Sequence, residues 1–203
     1  MPHHTLDMPI TETQARALRV GDTVTLEKRL FGIRDATLIH MFDHGRTTRL
    51  DLKGHAVIHT APNVRKADGY PANAPKYEPL CIGTTTSQRM ERFTKSLMQR
   101  EGVRVIIGKG GMGPGTLAAF SELGGAYLAI VGGAAALETT WIEEIEDVDL
   151  DDLHPESLWQ FRIRGFGPLL VTMDAHNGSL HAQVNEVAAA KRAAVLASIG
   201  ASE

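Results

Sequence analysis

The chain carries a single cysteine, Cys81, among its 203 residues. One thiol closes no internal disulfide and by itself anchors neither an iron–sulfur cluster nor a structural zinc, so any such cofactor has to be held by another chain. Aromatic residues are scarce, at 5%, and the formal net charge is -3. There is neither a basic field for a phosphate backbone nor a set of platforms for stacking bases, which excludes nucleic acid as a partner. Long apolar runs are missing as well. The most apolar, LAIVGGAAAL, is short and broken by glycines, and MPHHTLDMPITETQ has no basic region followed by an apolar core. The expectation is a cytoplasmic protein without a membrane span. No G-x-S-x-G elbow supports a serine hydrolase. The pairs His40/His44 and His55/His59 lack the third ligand or the Glu of a known zinc motif.

What is present suits one globular domain over residues 1–203, with 43% hydrophobic and 22% charged residues. Strand and helix signals alternate. A short helix begins at Thr11 or Thr13, a turn falls at Gly21-Asp22, and VTLEKRL reads as a strand. RDATLIHMFDHG follows as a helix stopped by Gly45, and HAVIHTAP as a strand ended by proline. Asn63 to Pro79 is rich in Pro, Gly, Asn and Ala and reads as a long irregular loop. Residues 87–102 form an amphipathic helix with Met90, Phe93, Leu97 and Met98 on one stripe. Strands are expected at 103–107 and 126–131, with a helix opening at Thr116 between them. EEIEDVDLDD, with seven carboxylates, reads as a solvated face or loop. A strand and an Asn177-Gly178 turn precede an alanine-rich final helix. The alternation predicts an α/β fold with a partly parallel sheet.

VRVIIGKGGMGPGTLAAF raises the question of a nucleotide site. Gly108, Gly110 and Gly113 have the G-x-G-x-x-G spacing between strand and helix. The ribose acid is missing, because AYLAIV is followed by Gly132 and Gly133, and Lys109 precedes Gly110 rather than the Ser or Thr of a P-loop. A dinucleotide-dependent oxidoreductase therefore remains only a competing reading. Backbone N–H groups at a helix start together with Lys109 make a more general anion site. Two further cations, Arg34 in GIRDAT and Arg89 in GTTTSQRM, lie at boundaries between a strand or loop and a helix. Ligand sites of open α/β sheets collect at such boundaries. Three cations on one ligand would suit a dicarboxylate. The hydroxyls of Thr84, Thr85, Thr86 and Ser87 either cap the following helix or handle a proton.

Four ordered motifs, LRVGDTVTLEKRLFGIRDAT, TTSQRM, IIGKGGM and LWQFRIRGFGPLLVTMDAHNGSL, together with WIEEIED, carry a resemblance. Over about Leu18 to Leu180 the chain resembles the C-terminal domain of class I, iron–sulfur fumarases and the separate beta subunit of the L-tartrate dehydratase family. The resemblance implies a swivelling β/β/α layered fold. It implies hydro-lyase chemistry on a small 2-hydroxy dicarboxylate, with a [4Fe–4S] cluster carried by a partner alpha subunit in an alpha2beta2 assembly. It further implies that Arg34, Arg89 and Lys109 bind substrate and that Thr85 is both a substrate contact and the proton-handling hydroxyl. Two stretches depart from the family pattern: GTTTS stands where G-P-T-T-S is usual, and RDATL where R-D-A-A-H is common. Those departures motivate a second reading, a non-catalytic assembly or binding module of the same fold.

Overall fold

The computed structural model describes residues 1–67, 76–131, 133 and 135–200. The chain opens with β1 (His3–Asp7) and α1 (Glu12–Ala17), whose N-cap Thr11 accepts from the Gln14 amide while Gln14 reaches back to the Thr11 amide. β2 (Thr23–Ile33), α2 (Asp35–Phe42) and β3 (Ala56–His59) follow. β4 (Asn63–Lys66) and β5 (Tyr77–Cys81) pair antiparallel as a separate two-stranded sheet. The irregular loop expected over 63–79 is thus ordered at both ends, and residues 68–75 lie outside the described residues.

Residues 87–101 divide into a 3-10 segment, Ser87–Phe93, and α3 (Thr94–Glu101). The cause is visible in the burial. Ser87, Met90 and Phe93 are buried at intervals of three, the period at which 3-10 side chains eclipse, whereas Leu97 and Met98 follow the α spacing. Gly102, in the left-handed region at φ 70°, ends the helix.

β6 (Val105–Gly108), α4 (Pro114–Leu123), β7 (Ala126–Ala129), α5 (Ala135–Thr140), β8 (Ile142–Asp149), β9 (Leu158–Met173) and α6 (Leu180–Ser198) complete the chain. The acidic run expected to be a solvated face or loop is largely the strand β8. Its buried residues Ile142, Ile145 and Val148 fall three apart because the register slips after Ile142 and after Ile145, which hides the two-residue alternation of a strand.

The main sheet has the order β1-β2-β3-β6-β7-β9-β8, and β2 also pairs with β9. That extra pairing closes β2, β3, β6, β7 and β9 into a ring. β1, β2, β3, β6 and β7 run parallel to one another, while β9 is antiparallel to β2, β7 and β8, so the sheet is mixed and partly parallel. Alternation along the short central strands divides the core between two faces. Ala56, Ile58, Val105, Ile107, Ala126 and Leu128 join one cluster with Trp159, Phe161 and Phe166 of β9. Val57, Ile106 and Tyr127 face the opposite way, onto Leu38, Met90, Phe93, Leu97 and Phe120 of the helical layer. Each such large apolar side chain stabilises the fold by about 1.5–3 kcal/mol, which is what holds the strand ends in place beneath the site.

Candidate functional site

The carboxyl ends of β2, β3 and β6 stop side by side at Ile33, His59 and Gly108. Parallel strands leave a crevice beyond those ends. The extended strip Gly83–Ser87 is laid across it. Thr60 pairs with Thr84 and Thr86 with Lys109 as isolated β-bridges. The Thr85 amide donates to the His59 carbonyl at 2.8 Å, the Thr60 hydroxyl donates to the Gly83 carbonyl at 2.7 Å, and the Ser87 amide donates to the Lys109 carbonyl at 3.1 Å. Three segments far apart in sequence are thereby fixed to one another through backbone.

A buried polar chain pins the strip from below. Tyr127 donates to Ser87 Oγ at 2.9 Å, and Ser87 Oγ lies 2.9 Å from His59 Nδ1. With Tyr127 donating, the serine proton is free to point at Nδ1, which favours the imidazole tautomer carrying hydrogen on Nε2. Burial pushes the His59 pKa down to about 4 and that of Tyr127 up to about 12, so both are neutral at physiological pH. A Cβ on Gly108 would collide with Ser87 Oγ and come within 2.9 Å of the Tyr127 hydroxyl. The first glycine of the loop makes room for this chain.

Among the residues singled out by sequence, Arg34, Arg89 and Thr85 come together. Arg89 grips Asp35 with both branches of its guanidinium, at 2.7 and 3.2 Å, and its Nη2 lies 3.4 Å from Thr85 Oγ1. Hydrogen bonds from Arg89, outweighing partial burial, hold Asp35 below the usual carboxylate range. Arg34 Nε stands 3.5 Å from Asp35 and 3.3 Å from Glu156. Those are ion-pair distances without hydrogen-bond geometry, and the nitrogen is buried with no hydrogen-bond partner. Glu156 also takes the Ala36 amide at 2.7 Å, tying the start of α2 to the segment before β9. Asp35 and Glu156 are therefore organising carboxylates that the sequence reading passed over. For Asp35 the signal was its place beside Arg34.

Lys109 joins the group through its backbone rather than through a side-chain contact to the arginines. It makes no ion pair among the described residues, although its charge acts on Glu138 of α5. The hydroxyls of Thr84 and Ser87 are engaged, the first with the His59 carbonyl at 3.0 Å and the second in the buried chain, while Thr85 Oγ1 faces Arg89.

The glycine loop differs from expectation. The amides at the start of α4 are not free: Glu91 accepts from Gly113 at 3.0 Å, from Gly115 at 2.9 Å and from Thr116 at 3.3 Å. An internal carboxylate already occupies the positive end of that helix. A Cβ at Gly113 would strike the same carboxylate, so this glycine serves Glu91 and leaves no pyrophosphate cradle. What remains for a ligand at the turn is the ammonium of Lys109.

Comparison with known proteins identifies the family. The family described as Fumarase C-terminus matches residues 2–184. The chain belongs to that family. It is 37% identical over 188 residues to the L(+)-tartrate dehydratase subunit beta of Escherichia coli K12, covering 92% of this chain and 90% of the relative. A Geobacillus stearothermophilus protein provisionally named fumarate hydratase class I is 39% identical over 183 residues, which is 90% of this chain and 34% of that longer protein. A Methanocaldococcus jannaschii protein provisionally named L(+)-tartrate dehydratase subunit beta is 32% identical over 182 residues, covering 87% of this chain and 90% of the relative. The names place the family among the hydro-lyases.

Among the described residues no group of three or more His, Cys, Asp or Glu is positioned to hold a metal ion, and Cys81 stands alone. The donor set of the described residues does not fit a cluster. No helix is long and apolar enough to cross a membrane.

Proposed function

We propose that this chain is the beta subunit of a heteromeric hydro-lyase that removes water from, or adds it to, a small 2-hydroxy dicarboxylate. The observation that carries the reading is the group at the strand ends: Arg34 and Arg89 share Asp35, Thr85 Oγ1 lies 3.4 Å from the Arg89 guanidinium, and the Thr86–Lys109 bridge brings in a third cation. In this reading the 203 residues act as one domain.

Arg34 and Arg89 offer planar forks to a carboxylate and Lys109 a point charge, so a substrate with two carboxylates is bound and oriented at both ends. Asp35 keeps the forks in register while the site waits for its ligand. Abstraction of a proton next to a carboxylate builds negative charge on that carboxylate, and fixed cations aimed at it stabilise the transition state more than the ground state. Thr85 moves the proton. A threonine hydroxyl is a weak base, and the neighbouring Arg89 charge lowers the cost of its alkoxide. An acidic residue of the partner completes the proton path.

The implied [4Fe–4S] cluster belongs in this reading to a cluster-bearing alpha subunit in an alpha2beta2 assembly, where it supplies Lewis-acid activation of the hydroxyl. The single cysteine and the absence of a ligand cluster among the described residues support that division of labour. The test is an assay of the chain with and without a co-expressed, cluster-bearing partner. Turnover on a hydroxy dicarboxylate only in the combined preparation is expected, and robust turnover by the isolated chain would overturn the assignment.

A further inference from the structure

We propose that His181, the second residue of α6, is a positioning residue of the same site: its ring backs the Gly110-Gly111 turn and so fixes where Lys109 presents its ammonium. The proposal deepens the dicarboxylate reading and rests on it.

The turn that carries Lys109 is anchored at both ends and weak between them. At its entry the Ile130 amide donates to the Gly108 carbonyl at 3.1 Å and the Ser87 amide to the Lys109 carbonyl at 3.1 Å. At its exit Glu91 accepts from the Gly113 amide at 3.0 Å. Between those points Gly110 and Gly111 both lie in the left-handed region, at φ 80° and 71°. Two such glycines in succession have little intrinsic preference for one geometry, so packing has to hold them. Two side chains do so. A Cβ on Gly110 would come within 3.3 Å of the Thr86 methyl, and one on Gly111 within 2.6 Å of His181 Cδ2 and Nε2. The strip touches the first glycine and His181 the second.

The ring arrives from a firm support. Asp174 accepts from the amides of Val20 at 2.9 Å, His176 at 2.8 Å and Gly178 at 2.9 Å, and an isolated β-bridge joins Met173 to Ser179. Ser179 then caps α6 by accepting from the Ala182 amide at 3.3 Å. His181 makes no hydrogen bond or ion pair among the described residues, so what it gives the turn is the contact surface of its ring. Beside the same turn, a hollow of about 230 Å³ is lined by Met112, Gly113, Pro114, Leu117, Met173 and His181. Removing the ring enlarges that hollow and leaves Gly111 unsupported. The turn then has room to relax, and Lys109 moves with it. Misplacing a substrate-orienting group by about 1 Å costs up to about 10²-fold.

The test compares His181→Ala, His181→Phe and Lys109→Met. In the full chain, nuclear relaxation of the backbone nitrogens should show order parameters at Gly110 and Gly111 falling from about 0.85 toward about 0.6 in His181→Ala. They should stay high in His181→Phe, with β6 and α4 unchanged in both. In the assembled enzyme, His181→Ala should raise KM by about tenfold with kcat within about twofold, and His181→Phe should recover most of the loss. Succinate, the probe dicarboxylate, should bind about tenfold more weakly to His181→Ala, yet no more weakly to the double variant than to Lys109→Met alone. Unchanged order at Gly110 and Gly111, no rescue by His181→Phe, or an equal further loss in the Lys109→Met background would overturn the proposal. Normal turnover with a KM indifferent to His181→Ala would sink this inference alone. Succinate coupling between His181 and Lys109 without turnover would sink the dehydratase reading and uphold the role of His181. A wild-type enzyme that binds no succinate would remove both.

Discussion

Two regions of the molecule are crowded with arginines and carboxylates, and they differ in how well those charges are matched. In the cleft of about 540 Å³ lined by Asp7, Lys28, Arg29, Glu146, Arg162 and Arg164, each cation has an acid: Lys28–Asp7 at 3.0 Å, Arg29–Glu146 at 2.7 Å, Arg162–Glu144 at 2.8 Å and Arg164–Glu143 at 2.8 Å. The cations of these pairs are exposed, and such pairs contribute little to stability and offer no unbalanced charge to a ligand. At the strand ends the balance is different. Arg34 Nε is buried with no hydrogen-bond partner, and Lys109 has no ion pair among the described residues. The cleft with matched charges is the poorer candidate. What marks a binding site is unsatisfied polarity held in place by backbone, rather than volume or charge density.

The comparison breaks most easily through activity. Arg89→Ala or Lys109→Ala in the assembled enzyme should lower kcat/KM by about 10²–10³-fold with assembly intact, the usual effect of removing one preorganised charge partner. Arg162→Ala in the cleft should leave it within about twofold. Equal losses at both places would erase the distinction. Thr85→Val should lower kcat by about 10²–10⁴-fold, the range of a lost acid–base group, and Thr86→Val by far less. Steady-state kinetics on both variants check this.

Stability offers a second handle. His59 has a folded-state pKa depressed to about 4, so between pH 6.5 and 4 the unfolded chain takes up a proton that the folded protein refuses. Its contribution is fully present above pH 6.5 and falls away with acidification, by about 3 kcal/mol at the lower end of that window. Glu138 has the opposite sign. Its pKa is raised from 4.5 to about 7, so its folded form binds the extra proton and stability declines as pH rises through that window. Urea unfolding should therefore find Glu138→Gln more stable than wild type at pH 8 by about 3 kcal/mol and nearly equal at pH 4. The smallest expected effect is at Glu91. Glu91→Ala should cost about 1–2 kcal/mol, because it uncaps the start of α4, and denaturant melts would read it.

Much of the candidate site was legible because its parts are local. Arg34, Thr85, Arg89 and Lys109 each stand at an element boundary that capping and periodicity reveal, and the stripe Met90, Phe93, Leu97 and Met98 is buried as its spacing implied. What stayed hidden was carried by partners distant in sequence. Glu91 reads as one more charge on an amphipathic segment, yet it closes the α4 amides more than twenty residues away. Asp35 and Glu156 acquire their meaning from arginines on other elements. The same holds for β8, whose bulges break the alternation that would have announced a strand.

The central claim is that the cations at the ends of β2 and β6 and on the strip between them bind a dicarboxylate. A structure of the assembled enzyme with bound succinate tests it most directly. One carboxylate within hydrogen-bond distance of Arg89 or Arg34 and the other beside Lys109 is the predicted result. Succinate bound elsewhere, with Arg89 still locked to Asp35 and Lys109 untouched, would contradict it.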